Sequence, residues 1–400
     1  MKLADYPATD LTYCLNIHPG LSLDQHLESI RTLATDVRDK VPHTAPFGLG
    51  LRISGQAAEE LADPEKLNAL KDTISDNGLY GFTINGFPYG PFHGEAVKQN
   101  VYRPDWQDPI RRDYTNALIT QLGALLPDHC TTGSISTVPC SYKPWATTDE
   151  HRKLMAEHLA DCVAHMARTE SETGKYIHLG LEPEPDCYLE TTSETIDFFE
   201  GPIASYAVPH LVTSHGFDEP QAKALINRHL GVCLDTCHIA LQFEDLEESY
   251  ERLTRAGILI SKVQISAAIH CDVSPESLAA LTAFTDDVYL HQTKVKASDG
   301  SITSYPDLPE ALAAIDPADW PNAQLRTHFH VPLYFSATGA LQSTRENITN
   351  RFLKRAAGDG VHLEIETYTF DVLPPELRNL TVTESIANEY EWLTEQIRSS

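Results

Sequence analysis

Short apolar, β-branched runs alternate with longer stretches in which apolar residues return every three or four positions, and this rhythm covers most of the chain. The short runs fall at residues 11–17 (LTYCLNI), 47–53 (FGLGLRI), 80–85 (YGFTIN), 133–138 (GSISTV), 176–182 (YIHLGLE), 231–235 (GVCLD), 260–265 (ISKVQI) and 362–367 (HLEIET). Their length and composition predict strands. Between them lie 23–39, 63–77, 109–126, 148–173, 192–199, 219–229 and 246–256, whose spacing predicts amphipathic helices. Asp63 followed by Pro64 joins a capping side chain to a proline at the first helical position.

Strands that read as nearly continuous apolar runs, each followed by a helix, imply a parallel sheet buried on both faces. Eight such runs imply closure into a (β/α)8 TIM barrel, expected to be one domain over residues 1–400. A doubly wound open sheet is the competing arrangement, but no GxGxxG follows the first strand. Residues 267–360 separate the seventh and eighth runs and hold two more extended candidates, 289–295 (YLHQTKV) and 326–332 (RTHFHVP). This stretch is expected to be an insertion over the C-terminal mouth of the barrel, where functional loops gather.

Composition narrows the function. The 400 residues are 42% hydrophobic and 22% charged, enough for a large core. No apolar run approaches the ~20 residues that span a bilayer, so no membrane insertion is expected. The opening MKLADYPATDLTYC lacks a basic start followed by an apolar core, so no secretory signal is expected. Net charge is -27, from 57 acidic against 30 basic residues. Such a surface repels phosphate backbones and anionic lipid, which argues against a nucleic-acid partner. Cys14, Cys130, Cys140, Cys162, Cys187, Cys233, Cys237 and Cys271 show no CxxC spacing and read as reduced thiols of a cytoplasmic protein. Cys233 and Cys237 flank a candidate ligand and read as core packing.

The candidate chemistry lies at strand ends. In GVCLDTCHIA (231–240), Asp235 closes an apolar run and His238 follows three residues later, so both can face one divalent cation. The plain alternative for Asp235 is a helix N-cap. In LGLEPEP (179–185), Glu182 closes a strand at a barrel's catalytic end, with Glu184 beyond a proline; a surface carboxylate is the alternative. In HLEIETYTF (362–370), Glu364 and Glu366 are two apart and share a face, and two acids inside a barrel need a cation or partners. Gln264 in KVQISAA (262–268) can ligate through its carbonyl, bind substrate, or be a satisfied strand-end amide. His328 and His330 in RTHFHVP alternate and are expected to share one face of a strand. His291 and His93 are weaker candidates, and His18 in NIHPG follows the first strand toward the pocket. The segment 85–106 (NGFPYGPFHGEAVKQNVYRPDW) carries Lys98, Arg103 and Trp106, which suit a polar ligand by charge and stacking, or an ordered structural loop.

The segment DTCH resembles the endonuclease IV family within the xylose isomerase-like barrel superfamily. Element order agrees: Glu182 in LE, Asp235 and His238 in DTCH, Gln264 on the next strand and Glu366 in ET of the last. The resemblance implies that Glu182, Asp235 and Glu366 are metal ligands. Two departures stand out: Gln264 replaces a histidine of VHL, and His328 and His330 replace a DxH. Over its whole length the chain resembles the EboE family of metabolite traffic proteins, through LTYCLNIHPG, NGFPYGPFHG, VKQNVYRPDW, GLEPEPDC, GVCLDTCHIA and LEIETYTF. That likeness implies an operon role in handling or exporting a secondary metabolite, with operon-encoded protein partners.

These readings together lead to a metal-dependent sugar, cyclitol or sugar-phosphate isomerase or epimerase acting on a small-molecule metabolite. Glu182 and Glu366 are its expected acid–base pair. Its divalent metal (Mn, Mg, Zn or Fe) is expected on Glu182, Asp235, Glu366, Gln264 and His238, and its substrate against His238, His328, His330, Lys98, Trp106 and His18. A carrier that keeps the barrel and metal but catalyses nothing is the alternative. An endonuclease IV-like phosphodiesterase fits the acidic charge worst.

Overall fold

The computed structural model describes residues 1–18, 20–43, 46–87, 98–285, 289–375 and 378–398. Its central sheet is a ring of parallel strands: β1 (Tyr6–Tyr13), β2 (Phe47–Arg52), β3 (Leu79–Asn85), β4 (Thr132–Thr137), β5 (Tyr176–Leu181), β6 (Leu230–Asp235), β7 (Leu259–Ile265) and β8 (His362–Ile365). Successive strands pair from β2 to β8, and β8 pairs with β1. A parallel bridge between Cys14 and Gly50 closes the ring, and the Thr12 hydroxyl donates to the Gly48 carbonyl at 3.0 Å. Gly50 is required there, because a Cβ would lie 2.1 Å from Glu364 Oε1 and 2.6 Å from the Tyr13 carbonyl. This is the TIM barrel expected from the alternating pattern, with helices between the strands. A short N-terminal strand, Lys2–Leu3, pairs antiparallel with β1.

Helix boundaries follow local signals. Asp63 caps Pro64–Asp76, Thr148 caps Asp149–Thr173, and Gly174 ends the latter in the left-handed region. One expectation fails: the helix over 192–199 does not stop at Gly201 and Pro202. Thr192–Phe198 passes into a π-helical stretch, Phe199–Ala207, and continues as Val208–His215. The wider π turn absorbs a proline that would break an α-helix.

Between β7 and β8 lies a six-stranded antiparallel sheet in the order Ile302–Tyr305, Thr293–Lys296, Gln324–Thr327, Ile269–Asp272, Leu341–Ser343 and Ala337–Thr338. It is the long insertion expected before the last strand. The two predicted extended runs shrink to Thr293–Lys296 and Gln324–Thr327, so His328 and His330 stand beyond a strand and not within one. All eight cysteines are free and buried, as their scatter implied. Among the described residues no helix is long and apolar enough to cross a membrane.

The barrel interior is polar in its lower layers. Lys262 and Glu364 are fully buried and paired at 2.5 Å. Burial alone pushes the Lys262 ammonium down, but Glu364 offsets this and holds it above its ordinary value. Asn85 donates to Glu364 at 2.9 Å and accepts from Gln264 at 3.0 Å and from Ser136 at 2.9 Å. Removing one partner of such a pair leaves a buried charge, at a cost of about 3–5 kcal/mol. We therefore expect Lys262→Met to destabilise by that amount in urea unfolding. Adding Glu364→Gln should recover much of the loss, and a double variant as unstable as the single would refute the pairing.

The C-terminal helix, Val382–Arg398, supplies a second buried acid. Glu389 Oε1 accepts from the Leu333 N–H of the insertion at 3.1 Å and from the Thr367 hydroxyl after β8 at 2.6 Å. Burial outweighs these donors and lifts its carboxyl to about 7. The folded protein thus holds a proton that the unfolded chain releases near the ordinary value of 4.5. This contribution is complete at acid pH and is lost as pH rises from there to about 7. Glu389→Gln keeps the accepting oxygen and removes the charge. It should melt above the wild type in mildly alkaline buffer and level with it in acid; equal melting in both would show that Glu389 is not protonated in the fold.

Candidate metal centre

The acids that the sequence placed at strand ends converge at the C-terminal mouth. Asp235 is the last residue of β6, while Glu182 and Glu366 directly follow β5 and β8. One carboxylate oxygen from each lies within 4.8 Å of the other two, and all three side chains are buried. Asp235 caps the short helix Thr236–Leu241: its Oδ1 accepts from the Cys237 and His238 N–H groups at 2.7 and 3.1 Å, and from the Ser266 hydroxyl at 2.6 Å. The N-cap role occupies Oδ1 and does not exclude a ligand role for Oδ2. Oδ2 of Asp235 and Oε2 of Glu182 are buried without an amide or hydroxyl donor, and Asp235 shares a hydrogen bond with the Glu366 carboxyl. Glu366 is held by the Asn16 amide, which donates to its Oε1 at 2.7 Å.

Their charges are frustrated. Burial and the neighbouring Asp235 push Glu182 well above the usual carboxylate range, and burial with Glu182 and Asp235 does the same to Glu366. Burial raises Asp235 too, but His238, His330 and the Ser266 hydroxyl outweigh it and keep this carboxyl low.

A ring of imidazoles adjoins the acids. His328 Nε2 lies 3.1 Å from His238 Nε2 and 3.2 Å from His330 Nε2. Each ring turns its Nδ1 to an oxygen acceptor: His238 to the Pro183 carbonyl at 3.0 Å, His330 to the Glu366 carbonyl at 2.9 Å, and His328 to Gln292 Oε1 at 2.8 Å. Gln292 is oriented by its own amide, which donates to the Tyr102 hydroxyl at 3.0 Å and the Pro185 carbonyl at 3.3 Å. Nδ1 therefore carries the proton in each neutral ring, and three Nε2 lone pairs face one another. Only a long contact from the Tyr368 hydroxyl, 3.4 Å from His328 Nε2, offers them a proton among the described hydrogen bonds. Burial, then His238 and His330, drives His328 well below its ordinary value; burial and His238 bring His330 to about 4 despite Asp235. Neutral rings whose lone pairs converge suit a borderline metal: tetrahedral bonds of ~2.0–2.1 Å set ligand nitrogens roughly 3.3 Å apart. The acids and imidazoles interlock, since Asp235 also groups with His238 and His330, and Glu184 with His238 and His328.

A cavity lies against this cluster. Glu182, Glu184, His238, His328 and Glu366 line it together with Asn16, Tyr102, Gln292, Tyr289 and Tyr368. Glu184, whose direction the sequence left open, points inward and accepts from the Tyr102 hydroxyl at 2.8 Å. Asn16, Tyr102, Gln292 and Ser266 were not singled out from the sequence. Asn16 sits two residues before His18 in a segment that was, so its placement after β1 was the available signal.

The remaining expected residues lie elsewhere. Gln264 is deeper in the barrel, where its Oε1 accepts from the Cys233 thiol at 2.9 Å and its amide donates to Asn85. His18 bonds the Tyr13 hydroxyl at 3.0 Å, and Trp106 is fully buried, its carbonyl accepting from His158 at 2.8 Å; neither lines the cavity. His291 donates to the His328 carbonyl at 2.8 Å and so supports the ring from behind. Cys237 packs with Leu241 and Ala268 and also reaches the His328–His330 pair. The side chain of Lys98, and His93, lie outside the described residues.

No family model matches the chain, and no curated protein matches its sequence. Solved structures match its fold. A xylose isomerase-like TIM barrel protein from Mycobacterium smegmatis, in complex with magnesium, aligns with a TM-score of 0.50 at 12% identity over 94% of this chain and 88% of its own. A xylose isomerase domain protein from Planctomyces limnophilus aligns with a TM-score of 0.46 at 12% identity, over 97% and 96%. One from Alicyclobacillus acidocaldarius subsp. acidocaldarius gives 0.46 at 12%, over 97% and 98%. The chain has the xylose isomerase-like TIM-barrel fold, with a long insertion before its last strand.

A site built this way is unstable while empty of cation. In chelator-treated protein, Glu366→Gln should raise the melting temperature by a few degrees near neutral pH, by removing one of the mutually repelling acids. Magnesium, which the nitrogen-rich groups bind poorly, should then raise the melting temperature of the wild type and that of the variant much less. A variant less stable than wild type in chelator would contradict the frustration argued above.

Proposed function

We propose that this chain is a divalent-metal-dependent isomerase or epimerase of a neutral polyol: a sugar or cyclitol. The observation that supports it most is the convergence of Glu182, Asp235 and Glu366 from three strands, with two buried oxygens lacking an amide or hydroxyl donor, beside a cavity. Glu182, Asp235 and Glu366 would hold the ion, and its chemistry would be to polarise hydroxyl and carbonyl oxygens on adjacent substrate carbons. The magnesium complex of the Mycobacterium smegmatis protein agrees with a hard-cation reading. His238 and His330, which group with Asp235, suit a second, nitrogen-bound cation shared through that acid, with His328 beside them.

Glu182 and Glu366 follow β5 and β8, with β6 and β7 between them, so they reach the substrate from separated positions on the rim. One would take a proton from carbon while the other returns one. Asn16 fixes the Glu366 carboxyl, and Tyr102, Glu184 and Gln292 offer hydrogen bonds to hydroxyls. Among the described lining residues there is no Lys or Arg, which favours an uncharged substrate over a phosphate ester. Tyr289, Tyr368, Phe87 and Leu290 exclude water from the reacting carbons. The finer assignment to the EboE family, with handling of a metabolite destined for export, rests on the sequence motifs and forms part of this proposal.

The test is turnover of metal-loaded protein on a panel of ketoses, aldoses and cyclitols in deuterated water. Isomerisation with deuterium entering at one carbon is expected, with Glu366→Gln and Glu182→Gln each slower by roughly 10²-fold or more while remaining folded. Full activity in either variant would refute its role. Tight binding of a panel member without turnover would replace the enzyme by a carrier.

A further inference from the structure

The outer helical layer holds a second convergence of metal-ligating atoms, none of which lines the central cavity. Asp161 lies within the helix Asp149–Thr173, and His210 and His215 belong to Val208–His215, which follows the π-helical stretch. His210 Nε2 and His215 Nε2 both reach the same oxygen, Asp161 Oδ1, at 2.8 and 2.9 Å. The other oxygen, Oδ2, accepts from Arg112 of the neighbouring helix Pro109–Leu125 at 3.2 Å. On the far side of His210, Nδ1 lies 3.8 Å from Glu157 Oε1 and 3.4 Å from the Ser214 hydroxyl.

We propose that Asp161, His210 and His215 form a zinc-type divalent-cation site that clips Val208–His215 to the helix Asp149–Thr173. The donor set of two imidazoles and one carboxylate is that of a three-ligand zinc site, with the fourth position left to water. Ligand atoms on ~2.0–2.1 Å bonds stand roughly 3.3 Å apart, so the two contacts need only open by about half an ångström. Both histidine side chains are about one-fifth exposed, at 20% and 19%, so they have room to move and the ion has a way in. The two imidazoles hold the Asp161 carboxyl below its usual range against the opposing effect of burial, which leaves it ionised as a ligand must be. Glu157 stands where a carboxylate steadies a metal-bound histidine from behind. The clip also has a structural reason: Val208–His215 is reached through a π-helical stretch containing Pro202, whose register is looser than that of an α-helix. The site is independent of the central acids, so its ion is an extra equivalent whatever the barrel catalyses.

The full-length protein should be dialysed against zinc at neutral pH and its bound metal counted. His210→Gln/His215→Gln is expected to lose one whole equivalent relative to wild type, and Glu157→Gln to weaken that equivalent roughly 10-fold or more. In the unmutated protein, zinc should shift the imidazole resonances of His210 and His215, a readout that no folding defect can mimic. Equal zinc content in wild type and double variant, or unmoved resonances, would overturn the site.

Discussion

The structure depends on how it keeps negative charge inside a closed barrel. Glu182, Asp235 and Glu366 meet at the mouth, all three buried, and two of their oxygens have no amide or hydroxyl donor. Mutual repulsion of buried carboxylates is among the costliest arrangements a protein can hold. The fold answers with partial measures: donors from Ser266, Cys237 and His238 to one oxygen of Asp235, and from Asn16 to Glu366. These donors orient the acids without neutralising them. What remains is an attraction for a cation, and the proposed function rests on it.

The layer beneath shows the opposite solution to the same problem. Glu364 lies two residues before Glu366 on one strand, and it is neutralised by the protein's own cation, Lys262. Paired strands hold the geometry: His362 is opposite Lys262, and Glu364 is opposite Gln264. Asn85 and Gln264 complete this layer with hydrogen bonds between adjoining and opposed strands. β8 and the residue after it thus carry an acid paired with a lysine and a candidate ligand acid held only by an amide and the neighbouring acid. The difference lies in a single turn of the pleat toward the open end.

The sequence made most of this legible because the signals were local. Apolar runs ending in an acid mark strand and rim together, so the barrel and the three carboxylates could be read directly. Failures occurred where partners came from distant segments. Lys262 stood in the quoted run KVQISAA, yet nothing local distinguished an internal lysine from one at a strand's exposed end. Gln264 read as a ligand because its position suited one, but Asn85 and Cys233 occupy both ends of its amide. Asn16 and Gln292 act through orientation across 350 and 36 residues, which no spacing pattern encodes. His328 and His330 were expected to share a strand face; they stand past the strand end and meet through loop geometry instead.

That last difference bears on how the site is assembled. Two of the three imidazoles in the ring, with Gln292 and Tyr289 on the cavity wall, come from the segment between β7 and β8. Their tautomers are set from both bodies of structure: Gln292 of the insertion fixes His328, while the barrel carbonyls of Pro183 and Glu366 fix His238 and His330. The Glu366 backbone carbonyl orients an imidazole while its side chain faces the acids, so a shift of this one residue would disturb both ligand sets at once. The barrel alone would offer three carboxylates and a single imidazole, His238, an oxygen-rich set suited to magnesium or manganese. Docking the insertion adds two imidazoles, which under the proposed function would shift the preference toward borderline ions. On that proposal the insertion would supply ligands, and so metal selectivity, rather than a passive cover over the mouth.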